Sequence, residues 1–174
     1  MSTATLNNYL KTLIDLQIIE KVQPVGDENT KRSIYRIKDS MYAFWFAYVE
    51  PYISAIENFS GASAYETYVK PMLPQFMVPV FERMAYEYVG YRIQRGTIPF
   101  IPDSYGIWWG ADNTTKQQVE IDILALGESK PSPNTSPQPL ALLGECKWRN
   151  EPVKPVILEK LIEKGRCIHG AAYY

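Results

Sequence analysis

The stretch PLALLGECKW, residues 139–148, decides how this chain is read. Leu140, Leu142 and Leu143 belong to a core strand, yet the run finishes in Glu145 and Lys147, residue types almost never fully buried without a partner. Side chains alternate along a strand, so Glu145 and Lys147 share a face with Ala141 and Leu143, while Cys146 and Trp148 take the other. The preceding run QQVEIDILALG, 117–127, alternates in the same way and groups Glu120, Asp122 and Leu124 against Val119, Ile121, Ile123 and Ala125. Between the two runs lies ESKPSPNTSPQ, 128–138, whose proline and serine content reads as a flexible hairpin tip. Paired as a hairpin, the strands set Asp122 opposite Glu145, with Lys147 beside them. Two carboxylates brought together repel unless a cation settles between them. Mg²⁺ or Mn²⁺ answers that need with oxygen ligands, here Asp122, Glu145 and the backbone carbonyl of Cys146, and Lys147 is placed to serve the attacking water and the charge on a phosphate.

Outward from these strands the chain alternates between helix and strand signals. GIWWG, 106–110, is a further short strand whose Trp108 and Trp109 pack on the sheet. A helix from Pro79 to Arg92 turns Phe81, Ala85, Tyr88 and Val89 inward with Glu82 beside the stripe, and another after Val153 buries Val156, Leu158, Leu161, Ile162 and Gly165. Asp39 caps a long helix in which Met41, Phe44, Trp45, Tyr48, Val49, Tyr52, Ile53 and Ile56 recur at helical spacing as core; Pro51 predicts a break between Ala47 and Glu50. At the start, Ser2 or Thr3 caps a helix over 4–19, and EKVQPV and RSIYRIK flank GDENTK as a hairpin. Helix plus basic-tipped hairpin is the back half of a winged helix, so the chain reads as part of something longer. Lys31, Arg32, Arg36 and Lys38 are its candidate phosphate contacts. The expected fold is α/β, a mixed sheet flanked by helices and preceded by a partial winged helix over residues 1–39 and a helical connector over 40–78.

Composition narrows the chemistry. Of 174 residues one is histidine, His169, and two are cysteine, which removes the parts for zinc clusters and Ser-His-Asp triads. A net charge of −1 argues against strong constitutive nucleic-acid binding. No apolar run is long enough to span a membrane and no secretory leader is evident, so the cytoplasm and reduced thiols are expected.

The ordered set of Glu82 on a helix, EID at 120–122 and ECK at 145–147 resembles the PD-(D/E)xK nuclease core. The wider run of YLKTLIDLQIIEKVQPV, YRIKDSMYAFWFAYVEP, VFERMAYEYV, WWG, EIDILAL and LGECKW resembles the C-terminal domain of unknown function of archaeal and bacterial AAA-type ATPases. That resemblance implies a restriction-endonuclease-like domain over 79–174, a metal held by Asp122 and Glu145 with Glu82 completing the site, and Lys147 in catalysis. It implies DNA as a weakly held substrate, ATP used only by an ATPase module outside these residues, and room for a homodimer. The other reading is a catalytically inactive module that keeps the fold as a docking or DNA-binding platform for the ATPase. Ile121 stands where the motif has proline, and the 128–138 loop lengthens the spacing from Asp122 to Glu145.

Overall fold

The computed structural model describes residues 2–26, 32–112, 115–129, 136, 138–168 and 172–173, the last two by backbone alone. All of the expected GDENTK turn after Gly26, Lys31 included, most of the 128–138 loop and His169 therefore lie outside the described residues. The chain forms two compact units, residues 1–22 with 31–80 and residues 23–30 with 81–174.

In the first unit, α1 (Thr3–Asp15) starts on Ser2, whose hydroxyl accepts from the amide of Thr5 at 3.2 Å. It stops earlier than its apolar stripe suggests because Gln17 takes a left-handed conformation. The amides of Gln17 and Ile18 turn back to the carbonyls of Ile14 and Leu13, closing the helix end. Strands β1 (Ile19–Val22) and β2 (Ile34–Ile37) pair antiparallel as expected. Asp39 caps α2 (Ser40–Phe44) by accepting from the amides of Met41 and Tyr42.

The predicted break is present, and its form is specific. Trp45–Val49 is a π-helical turn and Glu50–Tyr52 a 3₁₀ turn before α3 (Ile53–Asn58). Pro51 has no amide to donate and its ring crowds the carbonyl four residues back, so the chain widens and then tightens around it. Met41, Trp45 and Ile53 are exposed rather than inward, and the extra residue of the π turn shifts the stripe that follows it. Phe44 and Tyr48, 5.3 Å apart, instead meet Phe76 at ring-centroid distances of 5.7 and 5.6 Å. After α4 (Gly61–Ala64), a second π turn and the start of α5 (Leu73–Gln94) complete this unit, where Tyr52 stacks on Tyr68 at 4.2 Å. Helix α5 begins a turn and a half before the proline read as its start, and Pro79 lies inside it.

The second unit is a mixed sheet, ordered β3 (Phe100–Ala111), β4 (Gln118–Ser129), β5 (Pro139–Gly144) and β6 (Ala172–Tyr173). The first three run antiparallel and β6 joins parallel to β5. Two core clusters lie on it. Ile121, Leu124, Ala141, Leu161 and Ile168 form one, with Val25 and Trp108 packed against it; Phe100, Ala125 and Leu140 form the other. The sheet is flanked by the rest of α5, where Tyr86 stacks on Tyr105 at 4.3 Å, and by α6 (Pro155–Gly165).

Two inward stripes differ from the sequence pattern. Tyr88 on α5 is 57 % exposed. On α6, Val156, Leu158 and Ile162 are exposed, and the covered stripe is Ile157, Leu161, Lys164 and Gly165, still at helical spacing but turned to one side. Amphipathic spacing fixed the helix in both cases but left several registers open, and sheet packing selected one.

Candidate functional site: paired carboxylates at the strand ends

Strand β4 does not keep a simple alternation. Its ladder with β3 runs Gly106 opposite Leu124 and then Trp108 opposite Ile121, so β4 carries one extra residue at Asp122–Ile123. A bulge of this kind turns the following side chains to the other face. Ile121 and Leu124 therefore share a core cluster although their numbers differ by an odd step, and the expected face of Glu120, Asp122 and Leu124 is broken at Asp122. The acidic side chain sits at the irregularity itself.

Strand β5 is shorter than its sequence suggests. The ladder with β4 ends at Ile123 opposite Gly144, and Glu145 to Trp148 follow outside the strand. The freed amide of Cys146 donates to Oδ2 of Asp122 at 2.6 Å, which ties the end of β5 to the bulge of β4. Gly144 allows the two strands this closeness, since a β-carbon there would come within 3.0 Å of Cβ of Ile123. Asp122 and Glu145 thus lie beside one another.

Glu145 is the hub. Its side chain is only 11 % exposed, and it receives Lys147 on Oε1 at 2.5 Å and Lys164, from the last turn of α6, on Oε2 at 2.6 Å. Burial pushes its carboxyl up, but the two lysine bonds outweigh burial and hold it below the ordinary range. Asp122 shifts the opposite way: burial, and then the charge of Glu145, raise it against the Cys146 amide and the two lysines. Two neighbouring carboxylates with pKa values driven apart are a pattern found at functional sites. Lys147 is raised by its bond to Glu145 and by the charges of Asp122 and Glu82. The Cys146 thiol is pushed up to about 11 by burial and by Asp122, Glu82 and Glu145, so it stays protonated and is a poor nucleophile. Phe81 packs on Trp148 at 5.5 Å beside this segment.

Asp122, Glu145, Cys146 and Lys147 are together, and Glu82 on α5 is near enough for its charge to act on Cys146 and Lys147. Among the described residues, no three Asp, Glu, Cys or His side chains converge as a metal-holding cluster. The donor set is therefore the carboxylate pair of Asp122 and Glu145. Hard oxygen donors of that kind fit Mg²⁺ or Mn²⁺ with retained waters, and the half-buried Asp122, whose charge is poorly compensated, is the group a cation would relieve. Lys164 was not singled out from sequence, although it sits on the covered stripe of α6, where a lysine needs a partner.

Arg32, Arg36 and Lys38 of the hairpin are engaged elsewhere. Arg36 pairs with Glu20 at 2.5 Å, Lys38 donates to Gln17, and Arg32 also has an interaction within the structure. No helix among the described residues is long and apolar enough to cross a membrane.

An α/β domain carrying a lysine-braced carboxylate pair at adjoining strand ends is the class this architecture defines. Residues 45–161 match the DUF234 family of archaeal and bacterial proteins of unknown function, and the chain belongs to that family. It is 32 % identical over 146 residues to an uncharacterized protein of Methanocaldococcus jannaschii, an alignment covering 83 % of this chain and 29 % of that protein. The chain thus spans under a third of that relative's length. No solved structure matches it.

Proposed function

We propose that the second unit is a divalent-metal-dependent phosphodiesterase of the nuclease type, acting on DNA in the cytoplasm and joined in a longer protein to an AAA-type ATPase. The observation that carries this reading is the pairing of Asp122, at the β4 bulge, with Glu145, just beyond β5, under the reach of Lys147. Bound Mg²⁺ or Mn²⁺ would supply a Lewis acid and a water of lowered pKa. Asp122 and Glu145 would hold it with the carbonyl of Cys146. Glu145 also aims the Lys147 ammonium, which remains protonated and can meet negative charge developing on a scissile phosphate. Glu82 adds negative charge that favours cations here.

One observation favours the alternative, a docking or DNA-binding platform without catalysis: both oxygens of Glu145 already hold lysines, so the cluster neutralises itself. Plasmid nicking with Mg²⁺ or Mn²⁺ separates the two. The nuclease reading expects cleavage that Lys147→Ala lowers by about 10²- to 10³-fold, the usual cost of losing one electrostatic contribution. Intact DNA after incubation with the full-length, ATPase-containing protein and ATP would leave the platform reading.

A further inference from the structure

We propose that Lys164 is a latch on the metal position: its ammonium holds Oε2 of Glu145 until a divalent cation displaces it, and so sets the affinity of that position for metal. This rests on the metal reading above. Glu145 bonds two cations, one on each oxygen. They are not equivalent. Lys147 is two residues from Glu145 and is also drawn by Asp122 and Glu82, so it keeps negative neighbours when Glu145 turns to another cation. Lys164 arrives from a separate element 19 residues away, and like Lys147 its charge acts on both Asp122 and Glu145. It takes the oxygen of Glu145 that Lys147 leaves open, which a metal would need.

Lys164 also has somewhere to go. It lies in the last turn of α6, whose end carries the negative pole of the helix, and a released ammonium there stays favourably placed. Its side chain is 29 % exposed, against 37 % for Lys147 and 11 % for Glu145, so the two lysines together screen the carboxylate from an approaching cation. Lys164 is thus a positioning residue that competes with metal for one oxygen.

Calorimetric titration of the chain with Mn²⁺ tests this, comparing wild type with Lys164→Met, Lys164→Gln, Lys164→Arg and Lys160→Met. Lys160 is exposed on α6 one turn earlier and controls for the loss of one positive charge. Loss of a charge-assisted bond that competes with metal should tighten Mn²⁺ binding about tenfold in Lys164→Met. Lys164→Gln, which keeps a polar side chain if the methionine variant folds poorly, should tighten it too. Lys164→Arg should stay at or below wild-type affinity, and Lys160→Met should match wild type. Unchanged or weaker binding by both neutral variants overturns the latch, as does equal tightening by Lys160→Met. Absence of binding by every variant removes the metal reading itself and the latch with it.

Discussion

Replacing Gly127 by alanine should destabilise the second unit severely. A β-carbon there would stand 2.1 Å from the carbonyl oxygen of Ile101, 2.8 Å from Cα of Pro102 and 2.9 Å from the carbonyl carbon of Ile101. All three are backbone atoms of β3, at the point where its register with β4 shifts, so no side chain can swing away. Ordinary contact begins at 3.4 Å, which leaves about 1.3 Å to be found by separating strands that normally lie about 4.8 Å apart. Overpacking costs about 1–3 kcal/mol, and each ladder bond lost beside it about 1 kcal/mol. A loss of about 3 kcal/mol is expected, and at about 2–4 °C per kcal/mol for a chain of this size the melting temperature should fall by about 10 °C. Tryptophan fluorescence is a suitable probe, since Trp108, Trp109 and Trp148 all belong to this unit. Gly61→Ala is the control: a β-carbon there meets nothing within 4 Å, and the residue is helical, so its melt should match or slightly exceed wild type. A Gly127→Ala melt within about 2 °C of wild type would refute the β3–β4 register at Pro102 and Gly127.

Asp122→Asn should make the metal-free protein more stable at pH 7. The folded carboxyl is raised by burial, so wild type is at its best below the unfolded carboxylate range and loses stability as pH climbs through the raised value; asparagine does not ionise and escapes that loss. Urea unfolding in EDTA at pH 7 checks the sign: a less stable Asn variant sinks the argument, and saturating Mn²⁺ should stabilise wild type more than the variant. If the hairpin meets DNA through phosphates, as proposed, it should bind duplex weakly and with a steep salt dependence. Glu20→Gln should tighten that binding by releasing Arg36, whereas anisotropy that ignores salt, or the replacement of Lys31, Arg32, Arg36 and Lys38 by serine, would count against a DNA role.

Local chemistry was legible wherever one residue type has one conformational use. Asp39 caps α2, and Pro51 forces the break before α3, as the sequence indicates. The antiparallel pairing of the β4 and β5 runs was also legible, and with it the approach of Asp122 to Glu145. The bulge was not, because an extra strand residue leaves period-two alternation intact in the sequence while reversing it in space. The same holds for the π turn at Trp45–Val49, which shifted the later part of an apolar stripe that had no misses on paper. Lys164 escaped notice because its partner is 19 residues away and the register of α6 depends on the sheet beneath it. A lysine on an otherwise apolar stripe was the available signal.

The proposed function stands or falls with a divalent cation held between Asp122 and Glu145. Titrating the protein with Mn²⁺ in a calorimeter, alongside Asp122→Ala, tests this directly. Asp122→Ala removes a carboxylate that accepts from the Cys146 amide, and leaves Glu145 and both its lysines in place. The metal reading predicts binding by wild type and none by Asp122→Ala, whereas equal binding by the two proteins would contradict it.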